Sequence, residues 1–297
     1  MSVSIPNWMV QQFSTNVHML AEQKMSKLLP TVMEEPDVTS EAKAVERLGT
    51  TQDAPSQITT RHGDTPVGNT AHTRRWLFPG DYDVPADLID NNDKVKLLID
   101  PESGYTLRHA GVMARGIDDA IVSALGGTAI QGQYGPNSQG TSVSLPSAQK
   151  IAHGSAGLTI AKLIQAQEIF DEADIDEMWE RYFVGTPAQR SDLLNTTEVT
   201  SADYNTVKAL VEGKINQFMG FTFKWLSSKR LPTIASNIRG NYAYAKPAVR
   251  IGFAQHPTTS VDKRPDKRNS MQVYTWGSWG AVRVEDELVI QVACDES

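Results

Sequence analysis

The sequence predicts an α+β protein whose first third has no core of its own. Three observations carry that prediction. The 297 residues include 22 Phe, Trp and Tyr, yet only Trp8, Phe13, Trp76, Phe78 and Tyr82 fall before position 100, and fourteen follow Met178. Aromatic side chains carry large buried areas, so the main core forms in the C-terminal part. Apolar residues recur at helical spacing over 101–125, whereas short alternating runs bounded by turn residues dominate after 178. From Gly49 to Arg75 the only apolar residues are Ala54, Ile58, Val67 and Ala71, and a structureless stretch of that length is uncommon inside a compact domain.

Each element follows from local pattern. Residues 6–29 read as a helix, with Trp8, Met9, Phe13, Val17, Leu20, Met25 and Leu28 at helical spacing and Pro30 and Pro36 ending it. Nothing adjacent is available for it to pack on, which points to a partner chain. Alternating runs at 42–48 and 73–78 flank the polar stretch. They suit either a long two-stranded arm lying on a neighbour or a disordered linker. The clearest helix spans 101–125: Asp100 is its N-cap, Pro101 takes the first helical position, and Glu102 is an acid of the first turn. Val112, Met113, Ile117, Ala120, Ile121, Ala124 and Leu125 make its apolar stripe, and Gly126-Gly127 ends it.

Residues 128–147 are rich in Gly, Ser and Gln and read as a mobile surface loop. Ser155 is the expected cap of a second helix carrying Leu158, Ala161, Ile164 and Ile169, closed by the acidic run 171–177. Then come a strand over 179–185, a helix opened by the capping box Thr186-Pro187-Ala188-Gln189, a helix over 201–210 and a strand over 218–226. Strands over 248–254 and 271–276 flank a polar loop at 256–270, and 282–292 reads as a final hairpin turning on Glu285-Asp286-Glu287.

Composition excludes several classes. With 28 basic and 35 acidic residues the net charge is −7, whereas a chain built to grip DNA or RNA needs a basic excess. No apolar run approaches a membrane span, and MSVSIPNWMVQQF lacks a secretory pattern. The single cysteine, Cys294, excludes an internal disulfide or a multi-cysteine zinc site. None of the six histidines has a second ligand at zinc-like spacing; His109, near the stripe of the long helix, reads as a satisfied core or interface histidine. The acidic run lacks an EF-hand register. Glu212-Gly213-Lys214 is only a fragment of a phosphate loop, and His153-Gly154-Ser155-Ala156-Gly157 lacks the first glycine of a nucleophile elbow. No catalytic residue, metal site or cofactor is therefore expected. Asp262-Lys263-Arg264-Pro265-Asp266-Lys267-Arg268 mixes signs, which suits either a solvated loop or a protein–protein ion-pair surface better than a nucleic-acid patch.

Arg181-Tyr182-Phe183-Val184-Gly185-Thr186-Pro187-Ala188-Gln189 followed by Leu193-Leu194, then Val211-Glu212-Gly213-Lys214-Ile215, Met219-Gly220-Phe221-Thr222-Phe223-Lys224 and Ser227 to Pro232, form an ordered series. It resembles the axial domain of the major capsid proteins of tailed bacteriophages, the Hong Kong 97-like fold. Trp279-Gly280-Ala281-Val282-Arg283-Val284-Glu285-Asp286 before an apolar strand is similar to how many such chains end. The order of features over nearly the whole chain carries the resemblance more than any single motif.

The resemblance implies an N-terminal arm (1–36), an extended β-hairpin loop (37–98) and a peripheral domain with spine helix and Gly/Ser-rich insertion (99–180). It further implies an axial domain (181–250) and a return to the peripheral domain with an inter-capsomer loop and C-terminal strands (251–297). The implied function is a structural one: self-assembly into pentamers and hexamers of an icosahedral shell that encloses double-stranded DNA without binding it specifically. Inter-subunit contacts are expected from Arg74, Arg75, Lys263, Arg264, Lys267 and Arg268. The family implies a scaffolding protein, a portal and a decoration or cement protein as partners, no membrane, and a virion location after assembly in the host cytoplasm. With the arm helix starting close to Met1, scaffolding is expected to be a separate chain. A minor virion or tail protein, or a cytoplasmic enzyme with dispersed catalytic residues, are the alternatives.

Overall fold

The computed structural model describes residues 23–49, 57, 59, 61, 63–65, 70–90, 101–135, 138–176, 178–195 and 217–296. The expected helices over 6–29 and 201–210, the Asp100 cap and the 211–215 turn lie mostly or wholly outside the described residues; Leu29–Thr31, at the end of the first, form a 3-10 turn.

In chain order, β1 (Met33–Glu35) precedes β2 (Lys43–Leu48) and β3 (His72–Leu77), which pair antiparallel from Lys43 opposite Leu77 to Leu48 opposite His72. The flanks of the polar stretch are thus two-stranded. β4 (Gly80–Ile89) and α1 (Pro101–Gly126) follow. Of the expected stripe of α1, Met113, Ile117, Ile121 and Leu125 are buried, Val122 joins them, and Val112 is exposed.

β5 (Ala129–Gly135) and β6 (Ser138–Val143) form a hairpin, and β5 pairs with β3. This corrects the mobile loop expected over 128–147. The ladder shifts register between Gln131 and Tyr134, and Gly132 and Gly140 hold φ of 91° and 68°. Those glycines supply the irregular backbone of a bulged hairpin rather than mobility. After β7 (Lys150–Ile151), the N-cap of α2 (Ile160–Glu172) is Thr159, which accepts from the Lys162 N–H. The expected cap, Ser155, instead sits at φ 52° in the preceding turn.

β8 (Arg181–Gly185) leads into α3 (Pro187–Asn195), where half of the predicted capping box forms: the Gln189 N–H donates to Thr186 Oγ1. β9 (Gln217–Phe218) and β10 (Phe221–Trp225) replace the single strand expected over 218–226, because Met219 and Gly220, at φ 49° and 74°, turn the chain between them. β11 (Thr233–Ala235), β12 (Ile238–Ala245), β13 (Val249–Arg264), β14 (Ser270–Arg283) and β15 (Val289–Asp295) complete the chain.

Two further expectations are corrected. Residues 256–270 are not a loop: β13 continues to Arg264, and only Pro265–Lys267 and a left-handed Arg268-Asn269 pair separate it from β14. Alternation of Thr and Ser with charged residues is a solvated strand pattern as much as a loop composition. The final hairpin does not form either, since β14 belongs to the sheet β1-β13-β14-β4 and β15 to the sheet β7-β15-β12-β8-β10-β9, where β11 adds to β12. Asp286 is buried in the connection while Glu285 is half-buried and Glu287 exposed, so the acidic run is a corner anchored inward at its centre.

The seven-stranded sheet holds the larger core. All five residues of β8 are buried, and β10 pairs with it in parallel through a crossover that begins with α3. Leu163, Ala166 and Phe170 of α2 pack with Phe183, Phe221, Phe223, Ala243, Ile290 and Val292. A second cluster joins Val38, Val45, Leu77 and Ala129 to Val282 and Val284.

The chain folds as two units. One draws on Asp83–Ala114 and Pro257–Trp276 together with 23–25; the other on Ser26–Tyr82, Arg115–His256 and Gly277–Ser297. In the first, His109 is buried, its ring nitrogens 2.9 Å from Asp87 Oδ2 and 3.2 Å from Thr275 Oγ1, the satisfied histidine the sequence predicts. In the second, Tyr82 stacks on the buried Trp279 at 4.4 Å, and Gly280 lets the strand approach the Phe78 carbonyl where any Cβ would collide.

Candidate assembly surfaces

The turn between β13 and β14 carries most of the expected contact residues. Arg264 is held inside it: Nε and Nη2 donate to the two carboxylate oxygens of Asp266, both at 2.8 Å, and Nη1 donates to Gln272 Oε1 at 2.7 Å. This is a bidentate fork, the geometry in which arginine is most directional. Hydrogen bonding from Arg264 lowers the Asp266 carboxyl to about 2. Lys263, Lys267 and Arg268 are exposed at the same tip. The result is a rigid turn that offers cations while neutralising its central arginine internally.

Arg74 and Arg75 are neighbours in β3 with opposite fates, as strand alternation requires. Arg74 points outward and pairs with Glu46 of β2 at 3.2 Å. Such exposed pairs contribute about 0.2–1 kcal/mol. Arg75 is 3% exposed, and its Nη2 donates to Asp286 Oδ2 at 2.7 Å. It is therefore an internal residue, which corrects its placement among surface contacts. Asp286 also accepts from Arg283 Nε at 2.6 Å. Arg283 in turn donates to the carbonyls of Leu125 and Gly127 at the end of α1 and of Val143 at the end of β6. Its cation sits where the unsatisfied carbonyls of a helix favour one.

A second anchor holds the segment that follows the N-terminal stretch. Asp118, buried on α1, accepts from Ser26 Oγ at 2.5 Å and from the Lys27 and Leu28 N–H groups at 3.0 Å. Lys27 Nζ adds a bond to the Trp225 carbonyl at 2.9 Å. Thr31 Oγ1 bonds the buried Tyr244 hydroxyl at 2.6 Å. The C-terminal end is tied similarly. Burial alone would raise the Glu296 carboxyl, but hydrogen bonds from Thr186, Gln189 and Arg239 hold it below its usual range.

Asp118, Arg283 and Asp286 are the important residues that sequence reasoning missed. Asp118 is absent from the apolar stripe the sequence predicts, and Asp286 falls in the expected turn at 285–287. The available signal was position: a carboxylate one residue past the buried Ile117, and an acid three residues past an arginine ending an apolar strand.

A cleft of about 400 Å³ is lined by Asp174, Asp176, Glu285 and Glu287 with Arg47, Ile175, Trp179 and Leu288. Burial raises the Glu285 carboxyl. Among the described residues no group of three or more His, Cys, Asp or Glu is placed to hold a metal ion, and no helix is long and apolar enough to cross a membrane.

The three sheets of the described residues and the long helix α1 define the fold class, the Hong Kong 97-like capsid fold. The chain belongs to the phage capsid protein family, whose model matches residues 5–296. The capsid structure of cyanophage P-SCSP1u is similar with a TM-score of 0.72 at 15% identity, over 98% of this chain and 94% of that one. The head structure of Helicobacter pylori bacteriophage KHP40 gives 0.72 at 9% identity, over 100% and 99%. A chain of Mycobacterium phage Che8 gives 0.69 at 14%, over 97% and 98%. No curated protein matches the sequence.

Proposed function

We propose that copies of this chain assemble as pentamers and hexamers into an icosahedral shell enclosing packaged double-stranded DNA, with no catalytic step of the chain's own. The observation that carries the reading is the capsid-family match across residues 5–296. The net charge of −7 supports it, because an acidic wall encloses DNA without the counterion-releasing grip that would obstruct packaging and ejection.

In this reading residues 181–250 line the capsomer centre, and 1–36 and 37–98 strap adjacent subunits. The β13–β14 turn meets neighbouring capsomers through Lys263, Lys267 and Arg268, with Arg264 stiffening the turn from within and Arg74 contributing from β3. Many such contacts, each weak, hold a closed shell by multivalency. A scaffolding protein, a portal at one vertex and a decoration or cement protein complete the particle, which forms in the host cytoplasm. Sedimentation velocity of the expressed chain tests the proposal: capsomer- or shell-sized species support it, and a monomer at every concentration, with or without scaffold, contradicts it.

A further inference from the structure

Cys294 is the chain's one cysteine and lies fully buried on β15. Lys162, in the first turn of α2, reaches the same spot. Its Nζ lies within hydrogen-bonding distance of four carbonyls, those of Ala156 at 2.7 Å, His153 and Gly157 at 2.8 Å, and Ala293 at 3.1 Å, and stands 3.9 Å from Cys294 Sγ. Burial lowers the proton affinity of this amine, and burial pushes the thiol up to about 11 although the lysine opposes the rise.

A third polar group completes the cluster. Arg239 stands opposite Cys294 and Asn241 opposite Val292, so Asn241 lies on the same sheet face as Cys294, one diagonal step away. It is fully buried and within hydrogen-bonding reach of the Cys294 thiol, whose proton affinity it lowers, and neither Oδ1 nor Nδ2 has any other partner. A buried amide with a thiol as its one partner is under-satisfied, so an added polar atom at this place is favoured. Ile151, Leu158, Leu163 and Val292 share the apolar cluster that holds Cys294, and the carboxylates of Asp192, Asp295 and Glu296 also act on the pair.

We propose that Lys162 and Cys294 form a covalent bridge through one oxygen atom, Nζ–O–Sγ, when the folded protein meets dioxygen, and that the Asn241 amide donates to the bridging oxygen. The neutral amine and the thiol are the reactants. One N–H and the S–H bond break, N–O and S–O bonds form, and the O–O bond of dioxygen breaks. The second oxygen leaves as water with the two hydrogens. Sulfur and nitrogen are each oxidised and dioxygen is fully reduced, so no other co-reactant is needed. At 3.9 Å an inserted oxygen requires a smaller approach than a direct S–N bond. The bridge ties α2 to the last strand across 132 residues, which restricts the unfolded chain as a disulfide would. It does not depend on the shell reading.

Intact mass spectrometry of the purified full chain, kept under dithiothreitol or exposed to air, tests the bridge. Air exposure adds about 14 Da, one oxygen gained and two hydrogens lost, and dithiothreitol reverses it. Trypsin then fails to cut after Lys162, and one linked peptide carries both residues. Chain oxidised while unfolded in guanidinium, and the Cys294→Ala variant, show neither change. Additions of about 16, 32 or 48 Da confined to Cys294 would overturn the proposal. So would a thiol that remains fully alkylatable after air exposure, or a loss of about 2 Da marking a direct S–N bond.

Discussion

Arg75 and Asp286, 211 residues apart, form a buried ion pair at 2.7 Å that joins β3 to the corner between two sheets. The same carboxylate holds Arg283, so one negative charge is shared by two buried guanidiniums. Removing it leaves both uncompensated. Asp286→Ala is expected to cost about 3–5 kcal/mol in guanidinium denaturation of the unassembled subunit. Arg75→Met, which removes one charge and keeps the Asp286–Arg283 pair, costs less. A loss for Asp286→Ala below about 1 kcal/mol would mean that water reaches the site.

Asp118 fixes the 26–28 segment against α1. Its three bonds to Ser26, Lys27 and Leu28 replace backbone partners that this irregular segment otherwise lacks. Asp118→Ala leaves buried donors unsatisfied and is expected to cost about 1–3 kcal/mol, with faster limited proteolysis between residues 23 and 32. Unchanged cleavage there would remove Asp118 as the anchor.

The turn at 264–266 makes a pH prediction. The Asp266 carboxyl is lowered to about 2, so its contribution to the turn is present above the ordinary aspartate value of about 3.9 and is lost as pH falls through about 2. Arg264→Ala returns the Asp266 titration to near 3.9, readable by carboxyl-carbon NMR of the unassembled subunit. A titration that stays near 2 would place the cause outside the Arg264 fork.

Charge reversal at Lys263, Lys267 and Arg268 separates folding from assembly. These side chains are exposed, so subunit stability changes by at most about 0.5 kcal/mol while particle yield falls and becomes less sensitive to salt. Particles formed in normal yield would count against the turn as a contact.

Much of this fold is legible because period and burial coincide. The i, i+4 stripe of α1, the alternation of Phe221 and Phe223, and the capping of α3 by Thr186 all show in the sequence. What was not legible depends on partners far along the chain. The glycines at 132 and 140 shape a bulged hairpin only because β3 lies beside β5. Polar residues 256–264 form a strand because β14 lies next to β13 in the sheet, and the alternating strand ends at 282–292 diverge because β12 claims β15. Arg74 and Arg75 look alike in sequence; only the strand's facing and the distant Asp286 tell them apart.

Negative-stain electron microscopy of the expressed chain, with and without a scaffolding partner, shows whether it is a shell-forming subunit. Closed shells or capsomer rings are the predicted result. A well-behaved monomer of uniform size under both conditions would contradict it.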